Sequence, residues 1–174
     1  ATPSAARAPW RQAGQSEEYR RRALAFALLA PNPHNRQPWL VRLDGEDALT
    51  LYCDLDRRLP VTDPYDRQIT IGCGAFLEIL PLAAAADGYS ATITLFPDGD
   101  DMATLDARPI AHVAFTPARA ATDPLFLQVP HRRSTKEVYE AREVSADLLA
   151  RLQAAGATHG GASVATGDPA LVER

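Results

Sequence analysis

The most distinctive chemistry-bearing segment of the chain is the decapeptide APNPHNRQPW, which spans residues 30–39. Its three prolines restrict the backbone and exclude a regular helix or strand over residues 31–38. A backbone fixed in this way can hold its N–H groups and the side-chain amides of Asn35 and Gln37 ready for a ligand. We therefore interpret residues 31–38 as a rigid binding loop. The alternative is that both amides only satisfy nearby backbone groups.

A second segment, RRSTK at residues 132–136, offers five consecutive cationic or hydroxyl donors. In an extended backbone alternate side chains point the same way, so Arg132, Ser134 and Lys136 are predicted to share one face. A guanidinium, a hydroxyl and an ammonium group suit a terminal phosphate. The alternative is a solvated basic turn whose charges pair with the nearby glutamates.

A glycine pair, Gly72 and Gly74, allows two interpretations. It follows the Ile-Thr-Ile triplet at 69–71 and precedes helical sequence, which is the layout of a nucleotide-binding turn between a strand and a helix. Leu77 stands where the third glycine of that pattern is expected. The other interpretation is that two small residues let a buried helix approach its neighbour closely.

Metal and hydrolase chemistry is not indicated. No histidine pairs with a second ligand at helical spacing, and no G-x-S-x-G motif occurs. Two cysteines cannot build a disulfide scaffold or a zinc ribbon. The residues concerned are His34, His112, His131, His159, Cys53 and Cys73.

The elements that must position these groups alternate between helices and strands. The sequence predicts an α+β fold in which an antiparallel-rich sheet packs between helices. Helices are expected from a cap at Ser16 to Pro31, over 66–87, around 123–129 and from a cap at Ser145 to Gly156. Strands are expected at 39–43, 48–53, 90–96, 109–116 and 161–166, with a hairpin turn at Asp44-Gly45.

Composition narrows the possible functions of these 174 residues. A net charge of −4 leaves no basic excess for the phosphates of a nucleic acid, so we expect no nucleic-acid partner. The longest apolar run, at 79–86, is shorter than the roughly 20 residues of a membrane span. Residues 1–15 are small and polar and are interpreted as a flexible leader. Cytoplasmic and exported locations both remain open.

The helix, the A-P-x-x-x-N-x-Q-P-W segment and the strand after it together resemble the FMN-dependent nitroreductase superfamily. The R-R-S-T-K segment is similar to the phosphate-binding start of that fold. In the usual order the basic segment comes first, whereas here Asn35 precedes Arg132 by nearly 100 residues. This order resembles the tandem (Acg-like) branch. The resemblance implies a first half at 16–124 and the truncated start of a second half at 125–174.

The resemblance also implies a cofactor and a reaction. FMN would lie at the junction of two halves, with its phosphate held by Arg132, Ser134 and Lys136 and with Arg133 nearby. The loop would face the flavin ring through Asn32, Pro33, His34, Asn35 and Gln37. NAD(P)H would be the electron donor and a nitroaromatic- or quinone-like small molecule the acceptor, and no side chain would have to act as an acid or base.

Three other interpretations of the sequence remain. The chain could bind flavin without turnover, or it could keep the fold and lack flavin. It could also be a nucleotide-binding module that uses the Gly72–Gly74 turn. The chain is further expected to self-associate or to form a pseudo-dimer with the missing half.

Overall fold

A four-stranded antiparallel sheet is the centre of this computed structural model, which describes residues 11, 13–119, 122–138, 140, 142–157 and 163–168. The strands lie in the order β1-β2-β4-β3. Asp44 pairs with Ala48 across the β1–β2 hairpin, and Gly45 takes a positive φ of 53° in its turn, which confirms the predicted hairpin. The strands are β1 (Trp39–Asp44), β2 (Ala48–Cys53), β3 (Tyr89–Leu95) and β4 (Ala111–Pro117).

Two helices pack together beside this sheet, α1 (Tyr19–Ala27) and α2 (Arg67–Ala86). Glu18, and not the predicted Ser16, is the N-cap of α1, because its carboxylate accepts the backbone N–H groups of Arg20 and Arg21. Helix α2 continues through Pro81 and ends before Gly88, as the sequence predicts.

The core forms where these helices meet alternate residues of the strands. Leu51 of β2, Val113 of β4 and Phe76 of α2 are fully buried there. Hydrophobic burial of this kind is the main source of stability for such a unit. The opposite face of the sheet carries polar side chains such as Arg42 and His112. The predicted α+β class is confirmed, and the helices described in this unit cover one face of the sheet.

The glycine pair lies inside α2, because Ile69 and its neighbours are helical and not part of a strand. The strand–turn–helix interpretation of Gly72 and Gly74 is therefore wrong, and with it the nucleotide-binding module built on that turn. By length and composition α2 would also suit a membrane-spanning helix, contrary to the short apolar run expected from the sequence. Nine of its residues are buried within the folded protein.

The chain divides into two compact units, Ala1–Ser134 and Thr135–Arg174, so the division falls ten residues after the predicted boundary. In the second unit, helix α3 (Ala146–Gly156) begins at the predicted cap Ser145, whose hydroxyl accepts the N–H of Leu148 at 3.3 Å. The predicted strand at 161–166 is wrong over residues 163–166, because these residues are irregular. Positions 161 and 162 lie outside the described residues.

Two further segments of the first unit differ from expectation. The predicted helix at 123–129 is a 3₁₀ helix over Pro124–Gln128. Within the predicted leader, Ala13 packs against the core, while residues 1–10 and 12 lie outside the described part of the chain.

Candidate functional site

The loop at 31–38 connects α1 to β1 and contains an unusual set of backbone conformations. After Asn32 it forms one 3₁₀ turn, Pro33–Asn35. His34, Asn35 and Gln37 have positive φ angles of 49°, 52° and 53°. A left-handed conformation costs a non-glycine residue about 1–2 kcal/mol, so the surrounding contacts must hold each of the three in place.

Asn32 closes the loop on itself. Its side-chain oxygen accepts the backbone N–H of Gln37 at 2.8 Å, and its side-chain nitrogen donates to the carbonyl of Ala30 at 3.2 Å. The backbone carbonyl of Asn32 accepts the N–H of Asn35 at 3.2 Å. One residue therefore connects both ends of the loop.

The two amides singled out from the sequence bond to each other. The side-chain nitrogen of Gln37 donates to the side-chain oxygen of Asn35 at 2.8 Å. The backbone N–H groups of Asn35, Arg36 and Gln37 all bond within the loop. The expectation that the loop keeps its backbone N–H groups ready for a ligand is therefore wrong for these three. The side chains of His34 and Asn35 are exposed, and that of Gln37 is half-buried.

A second segment braces the loop from outside. The guanidinium of Arg36 donates to the carbonyls of Arg57 and Asp56 at 2.9 and 3.0 Å. In return, the guanidinium of Arg57 donates to the carbonyl of Arg36 at 3.0 Å and to the carboxylate of Asp54 at 3.0 Å. The N–H of Asp54 donates to the carbonyl of Pro38 at 2.7 Å. The loop is thus fastened to residues 54–57.

Helix α2 packs against the loop at Gly72. A Cβ atom on Gly72 would lie 3.2 Å from Cβ of Asn32 and 3.3 Å from Cδ of Pro33, closer than ordinary van der Waals contact. The close-approach interpretation is therefore confirmed for Gly72. It does not hold for Gly74, where a Cβ would meet nothing within 4 Å.

Trp39 ends the loop and begins the sheet. Its ring lies against Phe76 of α2 with the ring centroids 5.0 Å apart, and only 8% of the residue is exposed. Its indole Nε1 is buried without a hydrogen-bond partner in the described structure. A buried N–H without an acceptor is destabilising.

Arg132 lies near the other end of the loop. Its guanidinium donates to the carbonyl of Leu29, just beyond the end of α1, at 2.8 Å and to the hydroxyl of Ser134 at 3.3 Å. Burial, together with the charge of Arg133, lowers the pKa of this guanidinium. Its Nε is the second buried side-chain nitrogen without a partner among the described residues.

The structure therefore brings Arg132 to the start of the loop at 31–38. The resemblance implied that both belong to one flavin site, but the contact between Arg132 and Leu29 was not predicted. Arg133 and Ser134 belong to the same unit, and Arg133 donates to the carbonyls of Pro130 and Arg132. Lys136 is exposed and belongs to the second unit. The predicted shared face of Arg132, Ser134 and Lys136 remains a prediction.

Neither cysteine is poised as a nucleophile. Burial raises the pKa of Cys53 to about 11 and that of Cys73 to about 12, so both thiols stay protonated near neutral pH. Among the described residues no group of histidine, cysteine and carboxylate side chains is arranged for a metal ion. His159 lies outside them.

No protein-family model matches the chain. In sequence it is 33% identical over 144 residues to the Mycobacterium tuberculosis protein named "Putative NAD(P)H nitroreductase Rv3131", a match that covers 81% of this chain and 40% of that protein. It is 38% identical over 102 residues to "Putative NAD(P)H nitroreductase acg" of the same organism, covering 58% of this chain and 29% of that protein. The chain is a homologue of these two proteins, both of which are named as NAD(P)H nitroreductases. It spans less than half the length of these relatives.

Two solved structures are also similar to this chain. A nitroreductase family protein from Clostridium difficile 630 matches with a TM-score of 0.44 and 18% identity over 74% of this chain and 88% of that chain. A nitroreductase family protein from Streptococcus pneumoniae matches with a TM-score of 0.39 and 15% identity over 77% of this chain and 88% of that chain.

Proposed function

We propose that this chain forms part of an FMN-dependent oxidoreductase that passes electrons from NAD(P)H to a nitroaromatic- or quinone-like acceptor. The observation that carries the proposal is the 33% identity over 144 residues to a protein named as an NAD(P)H nitroreductase. The geometry supports it, because the segment that most resembles the superfamily is a loop held in a single strained conformation. Such prior organisation is typical of ligand sites.

The donors present near the loop fit a flavin. The buried nitrogens of Trp39 and Arg132 have no partner among the described residues and suit carbonyl or phosphate oxygens. In the proposal, Arg132 and Ser134, together with Arg133 and Lys136, hold the phosphate. His34, Asn35 and Gln37 lie towards the ring.

When bound, FMN would supply the hydride and electron chemistry of the reaction. The residues of this chain would bind the cofactor, orient it and exclude water, and none of them needs to move a proton.

The relatives extend well beyond the region that this chain matches. We propose that the flavin site is completed by a second nitroreductase-like half, supplied by further sequence or by a second copy. The mass and oligomeric state of the natural gene product test this. A natural product of 174 residues that is a stable monomer and binds flavin would overturn it.

The function is tested with the natural full-length protein. The expected result is a yellow protein that releases FMN on denaturation and oxidises NADH or NADPH when a nitroaromatic or a quinone is added. A yellow protein that consumes neither nicotinamide would instead be a flavin carrier without turnover. A colourless protein that takes up no added FMN would overturn the proposal and leave a nitroreductase-like fold without its cofactor.

A further inference from the structure

The conformation of the loop at 31–38 depends on the side chain of Asn32 and on the absence of a side chain at Gly72. Asn32 spans the loop through its bonds to Gln37 N–H and to the Ala30 carbonyl. Gly72 provides the space into which Asn32 and Pro33 settle, since any Cβ there would lie 3.2–3.3 Å from them. The Asn32 amide already bonds within the loop and Gly72 has no side chain, so we expect their contribution to ligand binding to be indirect.

We propose that Asn32 and Gly72 are positioning residues that hold the loop in its flavin-binding shape. This inference rests on the proposed function. With Gln37 N–H bound to the Asn32 side chain, the left-handed Asn35 and Gln37 keep their side-chain amides in fixed positions. If the loop shifts by a few tenths of an ångström, those groups no longer match a rigid ring system.

The helix offers a matched pair of variants. Gly72→Ala and Gly74→Ala give α2 the same gain in helix preference, because both glycines lie inside one helix. They differ in what the new methyl group meets, which is the loop at 72 and open space at 74. In full-length protein, Gly72→Ala is expected to weaken FMN binding at least about fivefold, while Gly74→Ala leaves it unchanged.

A second pair tests Asn32. Asn32→Ala removes the acceptor for Gln37 N–H and is expected to weaken FMN binding about tenfold, as the loss of about 1.4 kcal/mol of binding free energy. Asn32→Asp keeps that acceptor while losing the donor to Ala30, and is expected to recover most of the affinity. A residue needed only for stability would lower the midpoint of unfolding without this pattern of rescue.

Amide hydrogen exchange on the flavin-free protein gives an independent readout. Exchange within residues 34–37 should become faster in Asn32→Ala and Gly72→Ala, and stay at the wild-type rate in Gly74→Ala. If the wild-type protein binds flavin and Gly72→Ala binds it equally well, the inference is overturned while the proposed function stands. If the wild-type protein binds no flavin, the proposed function fails. The inference then fails as well if exchange in the loop is unchanged in the variants.

Discussion

The loop at 31–38 and the basic segment at 132–136 are both rich in hydrogen-bond donors, but these donors have different partners in the structure. In the loop, the backbone N–H groups of 35–37 and the Asn32 side chain are used internally. In the basic segment, Arg132 is anchored to the Leu29 carbonyl, whereas Ser134 and Lys136 are exposed. The first segment is fixed by its own contacts, whereas in the second Arg132 bonds to a carbonyl distant in sequence.

This contrast shows that a donor's value for binding depends on which partners it already has. Counting donors in RRSTK treats Arg132 and Lys136 alike, but only Arg132 also supports the end of α1. Counting amides in the loop suggests Asn35 and Gln37, although Asn32 makes the bonds that shape it. The following variants test which of these residues contribute to stability and which contribute to flavin binding.

The largest effect on stability is expected from Arg132→Ala. The substitution removes a charged donor from the Leu29 carbonyl, and hydrogen bonds of charged groups contribute roughly 1.5–3 kcal/mol. We expect the free energy of unfolding, measured with urea, to fall by about 2 kcal/mol. Arg133→Ala is the control, since this side chain is exposed and donates to the nearby carbonyls of Pro130 and Arg132, and it should change stability by less than about 0.5 kcal/mol.

Flavin titration of Arg132→Ala separates its two roles. Loss of FMN affinity with unchanged riboflavin affinity would mean that Arg132 binds the phosphate, as the sequence predicts. Equal loss for both flavins would mean that it only shapes the end of α1.

A smaller effect is expected from Arg36→Ala, which cuts the brace between the loop and residues 54–57. Its two carbonyl partners lie at an exposed position, so the loss in unfolding free energy should be about 1 kcal/mol. Arg21→Ala, on the exposed face of α1, is the matched control and should leave stability within about 0.5 kcal/mol. Indistinguishable unfolding curves for the two variants would show that the brace does not stabilise the loop.

Asn35 tests the left-handed backbone. At a φ of 52° glycine is tolerated and alanine is strained, so Asn35→Gly should be more stable than Asn35→Ala by about 1 kcal/mol. Thermal or urea unfolding of the two variants measures this difference. An Asn35→Ala variant as stable as Asn35→Gly would contradict the left-handed assignment.

Lys136→Ala should have the smallest effect on stability, below about 0.5 kcal/mol, because the side chain is exposed. If it holds the phosphate, the variant should still weaken FMN binding about tenfold while riboflavin binding is unchanged. Isothermal titration of both flavins into the full-length protein makes the comparison. Wild-type affinity for FMN would remove Lys136 from the proposed site.

The sequence predicted the regular elements closely because their signals are local. Alternating apolar residues and an Asp-Gly turn predict β1 and β2, and a nearly continuous apolar run before Gly88 predicts α2. The cap of α1 was misplaced because both Ser16 and Glu18 offer an acceptor, and only the backbone decides which one is used.

The details of the site depend on contacts that sequence spacing does not reveal. Prolines predicted an irregular loop, but the residue types of His34 and Gln37 do not by themselves specify a left-handed backbone. The contact between Arg132 and Leu29 joins residues 103 positions apart, so no local sequence pattern predicts it. The sequence indicated that Gly72 allows a close approach between elements, but it equally allowed a nucleotide-binding turn. The helical structure of this segment excludes the turn.

The same long-range contact has a consequence for the order of folding. Closing a chain segment of 103 residues costs conformational entropy that a single arginine–carbonyl bond does not offset. We therefore expect the bond between Arg132 and Leu29 to form only after the sheet and both helices of the first unit have assembled. During unfolding in mild denaturant this bond should break first, so residues 131–134 should separate from the end of α1 while the sheet remains intact.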